Sequence, residues 1–204
     1  MPNYTDLTGL AGVAVATAAA VRLWPGSAKL AKSRIARTRL ALLQGAVFAL
    51  MLIPFGDLPF AAYVRGMTGD LSITTLLLLG CAMLRPWMGC AADRQRLALL
   101  GVIALTALAF YPMALGAGAY DPYRLGYGSV QFVAVLLLFA LVAWLRGQAL
   151  IVLSIALATL GWASGWYESG NLWDYLIDPF VAIYALAAFM NSCTRALLKA
   201  GRGR

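Results

Sequence analysis

Long apolar runs, separated by short segments that hold nearly all the charge, decide what this chain can fold into. We count seven runs, at residues 7–23, 40–55, 71–88, 97–115, 129–145, 149–166 and 179–194. Of the 204 residues, 62% are hydrophobic and 12% are charged, which is too apolar for a soluble domain of this length. A membrane-spanning helix needs about 17–25 apolar residues. The sequence therefore predicts an all-α fold, a polytopic integral membrane helical bundle of about seven transmembrane helices.

The basic residues predict the orientation of this bundle. With the N-terminus outside and the C-terminus cytoplasmic, fourteen of the sixteen Lys and Arg residues lie in cytoplasmic segments, and Arg65 and Arg124 lie outside. Seven of the eight acids lie outside, Asp93 being the exception. An excess of Lys and Arg on the cytoplasmic side is the rule for membrane proteins. Topology thus explains the net charge of +8, and nucleic acid is not an expected partner.

Every segment between the apolar runs is too short to bury a core of its own. Residues 1–204 are therefore predicted to form a single transmembrane helical domain, without a soluble domain. No basic region precedes the first run, so we expect no cleaved signal peptide. The compact length and the lack of other targeting signals favour the bacterial inner (cytoplasmic) membrane, where the outer polar face meets the periplasm and the cell envelope.

The chain contains no histidine, and this excludes three classes of site. Histidine-ligated metals, Ser–His or Cys–His nucleophiles and histidine-ligated haem all need the missing imidazole. The acids also lack the fixed spacing of a calcium-binding loop. We therefore predict no metal and no cofactor.

Helix capping explains some of the outer acids. Asp6, Asp70 and Asp178 precede predicted helices, where a carboxylate accepts hydrogen bonds from unpaired N–H groups and faces the positive end of the helix dipole. Pro179 then suits the first helical position. Capping leaves six charged residues without an explanation: Asp57, Asp121, Glu168, Asp174, Arg65 and Arg124.

Two hypotheses account for these six residues. They form a salt-bridge network at the rim of the bundle, or they converge on a pocket for a lipid headgroup, sugar or phosphate, in which the two arginines bind anions. The aromatic residues of this face are expected as an interfacial belt. Those that we consider for ligand binding are Tyr123, Tyr127, Trp173 and Tyr175. In a catalytic site, the candidate acids and bases are Glu168, Asp174, Asp57 and Asp121.

Three functions are compatible with these residues. We favour a noncatalytic subunit or assembly factor whose acidic and aromatic outer face binds a partner or envelope component, because the spans lack the ionisable groups that mark ion pathways. The alternatives are a small outer-leaflet enzyme acting on a lipid or lipid-linked glycan, and a small transporter or channel with a path lined by Gln44 or Gln131. The expected partners are membrane lipids, a protein partner or a second copy of the chain, and a lipid headgroup or glycan at the outer face.

Overall fold

A computed structural model describes residues 4–21, 34–84 and 93–202. These residues form nine α-helices: α1 (Tyr4–Ala20), α2 (Arg34–Leu52), α3 (Phe60–Thr68), α4 (Ile73–Leu84), α5 (Asp93–Ala114), α6 (Val130–Leu145), α7 (Ala149–Ala163), α8 (Leu172–Leu176) and α9 (Pro179–Arg202). A short antiparallel hairpin joins β1 (Pro54–Phe55) to β2 (Leu58–Pro59), and a 3-10 helix spans Pro122–Gly126. The predicted helical class is confirmed.

Each predicted apolar run overlaps one of the longer helices, and these helices differ in length. Among the described residues, α2 and α5 are long and apolar enough to cross a membrane, judged by length and composition. The apolar helices α1, α4, α6 and α7 are shorter, so the arrangement with seven spans stays a prediction. Two predicted cytoplasmic loops, at 22–39 and 85–96, include residues 22–33 and 85–92, which lie outside the described part of the chain.

The main hydrophobic core lies where α5, α7 and α9 pack together. Ala104 of α5 and Ala185 of α9 are fully buried there, and Ile151 of α7 is also buried. Small residues such as alanine let helix backbones approach closely. The N-terminal helix α1 packs on α2, α3 and α4, and α4 also contacts α7. Helix α4 therefore joins the N-terminal helices to the C-terminal core.

The outward surface of the helices is strongly apolar. On α6, Leu137, Leu138, Leu141 and Leu145 are all exposed. Exposed apolar patches of this extent are rare on soluble monomers. Lipid is an environment that suits such a face.

The polar connections gather at one end of the bundle, which we call the acidic end. It comprises the first turn of α1, the loop at 69–72 before α4, the segment at 115–129 with the 3-10 helix, and the loop at 164–178 with α8. Hydrogen bonds and ion pairs between these segments, described below, hold the acidic end together.

Candidate functional site

Asp178 joins the beginnings of two helices at the acidic end. Its Oδ1 accepts a hydrogen bond from the Val181 N–H at 2.8 Å, which is the contact of an N-cap. Its Oδ2 accepts from the Ser72 N–H at 2.8 Å and from the Thr75 hydroxyl at 2.5 Å, both at the start of α4. Asp178 is only 5% exposed, so these donors and the positive ends of two helices compensate its burial. The predicted cap is present, and it also ties α9 to α4.

The cap of α4 is Ser72, and the prediction that Asp70 fills this role is wrong. The Ser72 hydroxyl accepts from the Thr75 N–H at 3.2 Å. Helix α4 begins at Ile73, three residues beyond Asp70. The sequence pattern placed the helix start too early, because Leu71 already belongs to the apolar run.

Arg65 of α3 pairs with three acids. Its Nε and Nη2 donate to the two carboxylate oxygens of Asp70 at 2.6 and 3.0 Å, a bidentate arrangement. Its Nη1 donates to Asp6 of α1 at 3.1 Å, and its Nη2 lies 3.6 Å from Glu168. The hydrogen bond to Asp70, more than any other contact, raises the pKa of Arg65 above its ordinary value. The guanidinium is thus engaged by acids and is not placed to clamp an anionic ligand.

Glycine at position 9 of α1 permits this ion-pair cluster. A Cβ at Gly9 would lie 2.4 Å from Oδ1 of Asp70 and 2.5 Å from Nε of Arg65. These separations are shorter than van der Waals contact, so α1 can approach the pair only with glycine here. Nothing in the sequence pattern singles out Gly9 from the other small residues of α1.

A cavity of 490 Å³ lies beside the cluster, and we call it the acidic cavity. The carboxyl-bearing residues that line it are Asp70, Asp174 and Asp178. Its other polar and aromatic lining residues are Phe110, Tyr111, Tyr123, Tyr167, Ser169 and Trp173. Among the described lining residues there is no Lys or Arg, so the cavity has an excess of negative charge.

Hydroxyl groups hold the carboxylate of Asp174. The Tyr123 hydroxyl donates to its Oδ2 at 3.0 Å, and the Ser169 hydroxyl donates to the same oxygen. No ion pair joins Asp174 to any described residue. Burial, followed by the negative charge of Asp174, raises the pKa of Tyr123 above its ordinary value. Asp174 therefore presents a carboxylate that no cation of the described chain neutralises.

Packed aromatic rings form one wall of the acidic cavity. The Trp173 ring lies 4.4 Å from that of Phe110 and 4.6 Å from that of Phe132, measured between centroids. Its Nε1 donates to the Pro122 carbonyl at 3.0 Å. The ring of Tyr123 lies 6.3 Å from that of Phe110. These contacts hold the rings of the wall in place.

Two buried residues hold the loop at 164–178 in place. Asn171, fully buried, donates its amide to the Tyr123 carbonyl at 2.9 Å and accepts from the Trp173 N–H at 2.9 Å. Tyr175, also fully buried, accepts from the Tyr167 N–H at 3.0 Å and donates to the Ser169 carbonyl at 3.0 Å. Tyr175, a predicted ligand-binding residue, does not line the cavity; it contacts Tyr167 and Ser169, which do.

The charged residues that capping left unexplained do not converge on one pocket. Asp174 lines the acidic cavity, whereas Glu168, 68% exposed, meets Arg65 at the edge of the ion-pair cluster. Asp57 is exposed in the turn between β1 and β2. Asp121 accepts from the Tyr123 N–H at 2.9 Å and caps the 3-10 helix.

The remaining predicted binding residues also lie in different places. Arg124 is exposed and makes no ion pair with a described residue. Tyr123 and Trp173 line the acidic cavity, and Tyr127 is exposed, with its ring edge-to-face against that of Tyr123 at 5.7 Å. The arginines are thus not arranged as an anion clamp.

Sequence reasoning missed five polar residues that line the acidic cavity, namely Asp70, Asp178, Tyr111, Tyr167 and Ser169. The two acids were assigned to caps, and a capping role does not prevent a carboxylate from facing a cavity. The position of Tyr111 could have marked it as a site residue, since it is a polar aromatic residue close to the end of an apolar run. Ser169 offered no such signal, because a serine in a loop is ordinary.

No metal site is apparent in the described residues, and the two glutamines considered for a transport path each make a hydrogen bond within the protein. No group of three or more His, Cys, Asp or Glu among them is arranged to hold a metal ion. Gln44 is buried and donates to the Ala18 carbonyl at 3.4 Å. Gln131 accepts from the Ser129 hydroxyl at 2.9 Å, and neither glutamine lines the acidic cavity.

Compared with models of known protein families, with curated proteins and with solved structures, the chain shows no match.

Proposed function

We propose that this chain is a multi-pass protein of the bacterial inner membrane, a noncatalytic subunit or assembly factor whose acidic cavity binds a cationic group of a partner or envelope component. The observation that carries the proposal is a cavity lined by Asp70, Asp174 and Asp178, with aromatic walls and no Lys or Arg among its described lining residues. Carboxylates and the faces of aromatic rings both attract ammonium groups.

The apolar surface supports the membrane placement. Several leucines along α6 are exposed, and exposed apolar side chains of this kind favour an environment as apolar as lipid tails. In the predicted orientation the acidic end lies outside, because the Lys and Arg residues concentrate at the other end. The cavity then opens toward the periplasm, where envelope lipids, glycans and the extracytoplasmic parts of other membrane proteins are accessible.

Asp174 is the proposed main contact for the cation. The other two cavity acids have strong partners, since Asp70 is paired with Arg65 and Asp178 with two N–H groups and a hydroxyl. Asp174 has hydroxyl donors only, so a ligand ammonium would be attracted most strongly to this carboxylate. The volume of 490 Å³ lies within the range of roughly 300–1,000 Å³ typical of small-molecule sites. The proposed ligand is a primary or quaternary ammonium on a lipid headgroup, an amino sugar or a lysine side chain.

Thermal unfolding in detergent tests this proposal. The probes are ethanolamine, choline and glucosamine, and the matched neutral compounds are ethylene glycol and glucose. A ligand at one hundred times its dissociation constant stabilises the folded state by about 2.7 kcal/mol, so a cationic probe should raise the melting temperature in a concentration-dependent way.

The variant Asp174→Asn should remove the effect of the cationic probes, and Asp57→Asn, in the exposed hairpin turn, should keep it. The proposal fails if cationic and neutral compounds stabilise equally, or if Asp174→Asn responds to the cations like the unaltered protein.

One observation favours a second candidate, an outer-leaflet enzyme that acts on a lipid or lipid-linked glycan. Asp174 and Asp178 line the same cavity as Ser169, and pairs of carboxylates can divide the roles of acid and base. Incubation of the purified protein with lipid-linked glycans, followed by mass spectrometry, should then show product formation. Asp174→Asn should abolish that product at an unchanged melting temperature. Equal product from both proteins would exclude Asp174 as the catalytic group.

A further inference from the structure

A second cavity lies on the side of the bundle. It is an apolar groove of 630 Å³ between α1, α4 and α9, and we call it the lateral groove. One end reaches Val64 and Thr68 of α3, close to the acidic end, and the other reaches Asp93 and Arg96 in the first turns of α5. Between these ends its walls are almost entirely apolar, with Ala16 and Ala20 of α1, Leu78 and Leu79 of α4, and Phe180 of α9.

The groove is elongated along the helices. Helix α1 lines it from Val13 to Ala20, and α4 lines it from Thr75 to Ala82. Seven residues of helix rise about 11 Å, so each wall extends at least that far. A slot of this shape, lined by alanines and leucines, matches a single extended hydrocarbon chain.

Arg96 brings a cation to one end of this apolar slot. Its Nη2 donates to the Tyr184 hydroxyl at 2.5 Å, and its Cζ lies 5.8 Å from the centroid of the same ring. Tyr184 also lines the groove, so the guanidinium lies against the groove wall. Arg96 makes no ion pair with a described residue. Asp93, one turn earlier on α5, lines the same end.

Arg96 is half-buried against the groove, and withdrawing a charge from water is costly unless an opposite charge or a strong dipole compensates it. The Tyr184 hydroxyl is neutral, and its ring face contributes only a modest cation–π attraction. Basic pockets between membrane helices on the cytoplasmic side bind the headgroups of anionic lipids. In the proposed orientation, the Arg96 end of the groove is the cytoplasmic end.

We infer that the lateral groove binds one anionic phospholipid of the cytoplasmic leaflet. Its phosphate accepts hydrogen bonds from Arg96 and the Tyr184 hydroxyl, and one acyl chain occupies the apolar slot. This inference depends on the proposed membrane placement, but not on the binding of a cation in the acidic cavity.

Native mass spectrometry of the full chain in a mild detergent tests the inference. Phosphatidylglycerol and phosphatidylcholine with identical acyl chains are added at equal concentrations. The expected result is one bound phosphatidylglycerol, at several-fold higher occupancy than phosphatidylcholine. Arg96→Gln should lower the occupancy of phosphatidylglycerol to that of phosphatidylcholine. The matched control is Arg94→Gln, because Arg94 is exposed on the same turn of α5 and does not line the groove; it should leave the occupancy unchanged.

Two further measurements separate the acyl chain from the phosphate. Ala20→Phe enlarges an exposed residue that lines the groove, so it should reduce the occupancy of both lipids without disturbing the core. Inorganic phosphate should not displace the bound lipid, because it lacks the acyl chain. Displacement by phosphate would overturn the assignment of the slot to a lipid.

Equal occupancy of the two lipids in the unaltered protein, or equal losses in Arg94→Gln and Arg96→Gln, would overturn the inference. Flotation of the protein with lipid vesicles tests the membrane placement separately. A protein that floats but does not discriminate between the lipids retains its placement and loses only the proposed lipid site.

Discussion

Removing the Asp178 carboxylate should destabilise the fold substantially. In Asp178→Ala, α9 loses its N-cap, which costs about 1 kcal/mol. The Ser72 N–H, in a residue with no exposed surface, also loses its acceptor at 2.8 Å, and a buried donor without a partner costs about 1–3 kcal/mol. The Thr75 hydroxyl retains the Ser72 hydroxyl at 3.0 Å as a partner, so it adds little. The expected loss in the free energy of unfolding is about 2–4 kcal/mol.

Thermal unfolding of the detergent-solubilised protein measures this loss. A change of 1 kcal/mol shifts the melting temperature of a chain of this length by roughly 2–4 °C, so Asp178→Ala should melt about 4–16 °C below the unaltered protein. Asp178→Asn should lie between the two, because asparagine is also a good N-cap. Asp57→Ala, in an exposed turn, is the control and should change stability by less than about 0.5 kcal/mol. If Asp178→Ala melts at the same temperature as Asp57→Ala, the buried carboxylate does not hold α4 and α9 together.

Two further predictions concern the acidic end. Gly9→Ala forces a methyl group into the Arg65 pair and should cost about 1–3 kcal/mol. A Cβ at Gly66 would meet nothing within 4 Å beyond its chain neighbours and its own helix backbone, so Gly66→Ala should be neutral or stabilise by up to about 1 kcal/mol. Equal melting temperatures of the two variants would contradict the close approach at Gly9. The pKa values of Tyr123 and Tyr167 are raised, first by burial and then by the charge of a nearby aspartate. Below about pH 10, the ordinary tyrosine pKa, both side chains are neutral and their contribution to stability is fully present. This contribution is lost as the pH rises through the raised pKa values of the folded protein. Tyrosinate absorbance should show ionisation later in the native protein than in the denatured chain, and superimposed titration curves would refute the prediction.

Hydrophobic patterning predicts the helices well because the apolar runs are long and continuous. It fails at their ends, where polarity and helix formation are not the same property. The basic segment at 34–39, for which a helix and a solvated loop are both compatible with the sequence, forms the start of α2, since arginine and alanine favour helices. The short elements α3, α8 and the hairpin were not predicted, because each is shorter than the window in which periodicity is visible.

The acidic site could be predicted only in part, for a different reason. The sequence drew attention to Asp174, Tyr123 and Trp173, and the structure places these three residues at one cavity. The sequence could not show that the guanidinium of Arg65 is already paired with acids. Its partner Asp6 is distant in the sequence, and its partner Asp70 is interpreted there as a helix cap. Distances between loops arise from helix packing, and a close approach such as that at Gly9 leaves no signature in a single sequence.

The two proposed binding sites meet at the junction that Asp178 forms. Thr75 and Val181 line the lateral groove, whereas Asp178 and the adjoining Pro179 line the acidic cavity. The partition between the two spaces therefore consists of two helix starts joined by hydrogen bonds to one carboxylate. The polar groups of this partition are already hydrogen-bonded to one another. An acyl chain in the groove therefore gains no favourable contact by extending past it. An ammonium group in the cavity likewise gains no favourable contact by moving toward the apolar slot. The same junction that stabilises the fold thus keeps the two ligands chemically separate, so Asp174→Asn should affect the cation alone and Arg96→Gln the lipid alone.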